Sequence, residues 1–153
     1  MHRNVITAAL VSLALVAHGK EVFAWKAGTT EICVDDTGAL TAIESNGTNY
    51  LAPGQLAPVL QVRVAGKDYV PEKAAWDAGD QRLTLRYAGD VTAVVKVAAK
   101  PTHITLELVE ATPSGKIELV LWGPYPTTIN RVIGEMVGVV RDTEFAIGIQ
   151  VLN

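Results

Sequence analysis

Arg82-Leu-Thr-Leu-Arg-Tyr87, Val91-Thr-Ala-Val-Val-Lys-Val-Ala98 and Thr102-His-Ile-Thr-Leu-Glu-Leu-Val-Glu110 decide the fold. The first run alternates polar and apolar side chains, as a strand with one face in water does. Gly89-Asp90 turns it into the second run, and Lys100-Pro101 breaks the chain before the third. In the third, Ile104, Leu106 and Leu108 fall on one face and Thr105, Glu107 and Val109 on the other. Strands with one wet face belong to antiparallel sheets, because parallel sheets are covered on both sides.

The pattern continues in both directions. Upstream, Thr29–Val34 and Leu40–Glu44 flank the turn Asp35-Asp-Thr-Gly38 and predict a hairpin, with Gly38 suited to positive φ. Ser45-Asn-Gly-Thr-Asn49 is a second turn cluster, and Pro53-Gly54 and Pro58 interrupt the extended segment that begins at Tyr50. Val59–Val64, the turn Gly66-Lys67 and Asp68–Val70 predict another hairpin. Pro71–Lys73 reads as loop, and Trp76 leads into the turn Asp77-Ala-Gly-Asp80. Downstream, Thr112-Pro-Ser-Gly115 turns into Ile117–Trp122, which ends at Gly123-Pro-Tyr-Pro126; Val137–Val140 and Phe145–Val151 are further apolar strands. Between them, Thr128–Met136 leaves open a helical turn or an irregular loop. Turn signals recur near the ~8–12 residue spacing of sandwiches, so the expected fold is an all-β, antiparallel β-sandwich.

The chain has 153 residues, 49% hydrophobic and 19% charged, enough for one domain with a core of its own. The net charge of −3 offers neither nucleic acid nor anionic lipid a basic footprint. At the N-terminus, His2 and Arg3 precede the uncharged run Val5–Ala17, which is shorter than the ~20 residues that span a bilayer and fits an export signal. Two cleavage sequences follow, Ala17-His-Gly19 and Val22-Phe-Ala24. The second leaves Lys20 and Glu21 as a polar c-region and is preferred, giving a signal peptide over 1–24 and a sandwich over 25–153. That cut removes Arg3, Lys20 and Glu21, leaving a mature chain one unit more acidic, with His103 its only histidine. The expected location is periplasmic or extracellular, with no membrane span in the mature chain.

Catalytic chemistry is sparse. A nucleophilic triad needs a base beside Ser or Cys, yet no Gly-x-Ser-x-Gly elbow accompanies His103. The single Cys33 sits in a strand pattern, where a buried, inert thiol is the ordinary reading. With His103, it falls short of a closed zinc set. No phosphate-cradling glycine loop or dinucleotide fingerprint appears, so no cofactor is implied. Asp35, Asp36, Asp142 and Glu144 sit where turn carboxylates are commonplace. Glu135 stands among apolar residues in Ile133-Gly-Glu-Met-Val137 and needs a partner there, with Arg131 and Arg141 nearest in sequence. A pyranose packs its C–H face on flat aromatic rings, so Trp122 and Tyr125, flanking Gly123-Pro124, are the candidate carbohydrate platform, with Glu135 beside them. The alternative role of Trp122 is core filler.

Leu121-Trp-Gly-Pro-Tyr-Pro-Thr-Thr128, Ile133–Asp142, Phe145–Asn153 and the opening hairpin Thr30–Ile43 together resemble the N-terminal, galactose-mutarotase-like β-sandwich region of large exported bacterial proteins associated with glycan breakdown. The resemblance implies a non-catalytic, carbohydrate-associated sandwich, part of a supersandwich, that precedes and packs against a separate catalytic domain. It carries over no catalytic residue. Two alternatives stand beside it. One is a small aldose-1-epimerase-like enzyme, which requires His103 and Glu135 to converge on one pocket. The other is a structural or interaction module without sugar binding. A supersandwich needs roughly twice this length, beyond even single all-β domains of ~200–250 residues. The apolar strand Phe145–Val151 is therefore expected to leave an uncovered face and to promote self-association.

Overall fold

The computed structural model describes residues 22–134 and 138–150. Residues 1–21 of the expected export signal, Glu135 and Val151 of the Phe145–Val151 run lie outside them. The described residues form an all-β, antiparallel sandwich built from meanders. β1 (Val22–Ala27), β2 (Thr30–Asp35), β3 (Leu40–Ser45) and β4 (Thr48–Asn49) form one sheet in chain order. β7 (Lys73–Asp77), β8 (Arg82–Tyr87), β9 (Val91–Ala99) and β10 (Ile104–Thr112) form the second. β5 (Leu60–Val64) and β6 (Lys67–Tyr69) make a hairpin, against which β11 (Ile117–Trp122) pairs from far along the chain. β12 (Val132–Ile133), β13 (Gly138–Arg141) and β14 (Ala146–Ile149) form a last three-stranded sheet.

The predicted alternation sets the core. Leu83, Leu85 and Tyr87 of β8 and Val91, Ala93, Val95 and Val97 of β9 point inward, while Arg82, Arg86 and Lys96 stay in water. Phe23 and Trp25 of β1, Val34 of β2, Leu40 and Ile43 of β3 and Leu60 and Val62 of β5 meet them in one cluster. Trp25 packs edge-on against Trp76 of β7, ring centroids 5.2 Å apart at 71°. Gly38 fits its turn for two reasons. Its φ is +82°, and an added Cβ would lie 2.8 Å from Leu85 Cδ2 and 2.9 Å from Pro71 Cγ.

Two elements depart from the expectations above, and a third settles an alternative left open. Lys73–Asp77 is a strand rather than loop and turn approach, because ladder pairing with β8 (Trp76 opposite Leu83) supplies what its weak alternation does not. β1 takes in Val22–Ala24, ahead of the expected boundary at Trp25. Within Thr128–Met136, the described residues are irregular apart from the two-residue strand β12.

Candidate functional site

Trp122 closes β11, and a bulge decides which way it faces. The register between β11 and β5 shifts between Ile117 and Leu119. A bulge inserts one residue and re-phases the faces, so Ile117, Val120 and Trp122 all pack on the core while Leu119 is left 42% exposed. Strict alternation would set Ile117 opposite Val120 and Trp122. Glu118, on the edge, accepts the Gly66 N–H at 3.0 and 3.2 Å, which pins β11 to the β5–β6 turn. Trp122 is half-buried and stands opposite Leu60 in the ladder.

Beyond Trp122 the chain turns back over β5. Gly123 has φ +77°, and a Cβ there would lie 2.8 Å from Tyr125 N and 3.4 Å from the Tyr125 ring, so the phenol folds over the glycine. The Tyr125 hydroxyl donates to the Val59 carbonyl at 2.6 Å, and the Gly123 N–H reaches the same oxygen at 3.4 Å. Gln61 Nε2 donates to the Gly123 carbonyl at 2.7 Å. One residue along, the Tyr87 hydroxyl donates to the Leu60 carbonyl at 3.0 Å from within the core. Burial pushes both phenols well above the ordinary tyrosine range, because the interior disfavours the phenolate. Both remain neutral donors throughout the physiological pH range. Trp122 and Tyr125 are thus brought to one strand end, with the polar group of Tyr125 engaged by backbone. The Gln61 and Val59 contacts depend on a pairing across more than fifty residues, and no local pattern marks them.

The other sequence candidates are dispersed. His103 is exposed at the approach to β10, its Nδ1 3.1 Å from Thr102 Oγ1. Asp35 is 3% exposed, and its Oδ1 accepts Thr37 N–H at 2.9 Å and Ala39 N–H at 3.3 Å, holding the β2–β3 turn. Asp142 Oδ1 does the same for Glu144 and Phe145 N–H, each at 2.8 Å. Those bonds hold its carboxyl below the usual carboxylate range.

Cys33 is half-buried, not fully buried, and burial first, then Glu31 and Glu44, raises its thiol pKa. It lies beside a polar row that the register assembles across the first sheet, Lys26 opposite Glu31, Glu31 opposite Glu44 and Glu44 opposite Asn49. Lys26, Glu31 and Glu44 of this row line a shallow groove of about 370 Å³ with Ser45 and Asn46. Among the described residues no group of three or more His, Cys, Asp or Glu is placed to hold a metal ion. Nor, among them, is any helix long and apolar enough to cross a membrane, which leaves strand-built spans unaddressed.

Compared with known proteins, the chain matches no family model, no curated protein and no solved structure.

Proposed function

We propose that this chain is a non-catalytic β-sandwich domain of an exported glycan-processing protein, akin to the galactose-mutarotase-like sandwiches, and that its C-terminal sheet packs against a second folded unit. The glycan-associated part of the proposal rests on the sequence resemblance alone; the observation that carries the packing interface is the sheet β12–β14. None of its described residues is buried, yet Val132, Ile133 and Ile149 are 40%, 71% and 45% exposed. Three strands need a packed apolar face to be stable, and large apolar side chains left exposed on one face mark an interface. The register puts Ile133, Val140, Ile147 and Ile149 on one face of the sheet and Val132 on the other. On the first face Ile147 touches the core, and beside it the Phe145 ring stacks on Tyr50 at 4.3 Å and 19°. Ile133 and Ile149 on that face remain exposed, and they are the side chains a second unit would cover.

In this reading Trp122 and Tyr125 serve chiefly to lock the β5–β11 junction. The Tyr125 hydroxyl, given to Val59, supports that role.

Sedimentation of the chain alone tests the interface. Concentration-dependent association is expected, and the Ile133→Lys, Ile149→Lys double variant should be monomeric with little change in melting temperature. A wild-type chain that stays monomeric at high concentration and unfolds in one sharp, high-temperature transition refutes the uncovered interface. Turnover of aryl glycosides that disappears in Glu135→Gln refutes the non-catalytic assignment separately.

A further inference from the structure

The first strand constrains where an export signal can be cut. Phe23 is 6% exposed and sits in the core opposite Val34, itself fully buried; Val22 and Ala24 pair with Asp35 and Cys33. Hydrolysis after Ala24 would delete half of the six-residue strand β1 and remove Phe23 from the cluster. It would also place the new α-amino group on Trp25, which is 7% exposed. An ammonium there must be kept hydrated beside a buried indole, which the interior opposes.

The alternative sequence Ala17-His18-Gly19 has small residues at both recognition positions, whereas Val22-Phe23-Ala24 has a β-branched residue at the first. Cleavage there leaves Lys20 and Glu21 ahead of an intact β1. Signal cleavage acts on the unfolded chain, so the fold does not shield Ala24; it is the finished sandwich that requires residues 22–24. Resting on the export reading above, we propose that a signal peptidase hydrolyses the Gly19–Lys20 peptide bond. One water is consumed, leaving a carboxylate on Gly19 and an amine on Lys20, so that the mature protein begins at Lys20 with its first strand whole.

The test is N-terminal sequencing and intact mass of the full 153-residue chain expressed in a Gram-negative host and recovered from the periplasm. A start at Lys20 is expected. A periplasmic product starting at Trp25 overturns the inference and leaves the export reading standing; a full-length chain retained in the cell overturns both. Leucine at the residue before the scissile bond blocks a site that demands a small side chain. Gly19→Leu should therefore stop processing, while Ala24→Leu, at an exposed position of β1, should leave the Lys20 start unchanged. The reverse result overturns the proposal. Purified chains beginning at Lys20 and at Trp25 supply a readout independent of the peptidase. The shorter chain should melt lower by on the order of 10 °C, and equal melting temperatures would remove the structural reason for the assignment.

Discussion

Tyr87 and Tyr125 show how single hydroxyls organise this sandwich. They cap the adjacent carbonyls of Leu60 and Val59, where β5 enters the core. Replacing a hydrogen-bonded buried hydroxyl costs about 0.5–1.5 kcal/mol, so Tyr87→Phe and Tyr125→Phe should each lower stability by about that much in urea titrations. Both phenols have folded pKa values above the unfolded value near 10.0. Their contribution is complete below pH about 10 and is lost as pH rises above it, since the unfolded chain then gives up protons that the folded chain keeps. Tyr87 and Tyr125 should resist ionisation in an ultraviolet pH titration until the chain unfolds. If either ionises near pH 10 in the folded chain, its buried hydroxyl assignment fails. Gly38 is the other decisive residue. Gly38→Ala combines a left-handed backbone with a clash on Leu85 and Pro71. A loss of roughly 2–4 kcal/mol is expected from strain and overpacking together, against a smaller loss of roughly 1–2 kcal/mol for Gly54→Ser, whose φ of +71° carries the left-handed backbone cost but whose added Cβ meets open space.

At the scale of elements, β8 and β9 form the rigid centre and β12–β14 the loose margin. Leu83, Leu85, Ala93 and Val95 are fully buried, whereas the last sheet has no buried described residue. Leu85→Ala should cost about 2–5 kcal/mol through lost burial and the cavity left behind. Amide exchange should follow the same order: β8 and β9 amides open only with global unfolding, while β13 and β14 exchange through local opening. Protection in β14 equal to that in β9 would mean that the sheet is already covered. β10 is the edge strand of its sheet, and it carries both Glu107 and Glu110 and a bulge between Leu108 and Glu110. Charge and a bulge are the usual guards of an edge. β14, also an edge, has neither within its Ala-Ile-Gly-Ile run.

For the whole molecule, the arrangement makes one prediction that no single residue carries. β11 is tied to β5 across the entire second sheet, and Leu51 pairs with Thr127 nearby. The two meanders should therefore unfold as one cooperative unit through that closure. Deleting the hydrogen bond that anchors its end, with Gln61→Leu, should reduce stability without changing the urea m-value. A second transition in the wild-type urea curve would show that the meanders are independent.

The sequence by itself determined the strand-and-turn grammar: the alternation in Arg82–Tyr87 and Thr102–Glu110, the β2–β3 hairpin and the positive φ of Gly38 are local steric and solvation preferences that each segment expresses alone. It singled out Trp122 and Tyr125, which both lie near the end of β11, Trp122 opposite Leu60 and Tyr125 bonded to the Val59 carbonyl. Tertiary structure decided what they touch, because the bulge in β11 and the pairing with β5 depend on partners far along the chain. The polar row Lys26–Glu31–Glu44–Asn49 likewise exists only once three registers are set. β1 and β7 were illegible for the same reason. Val22–Ala24 resembles the end of an export signal and Lys73–Asp77 a loop until neighbouring strands supply the hydrogen bonds and the apolar surface that hold them extended.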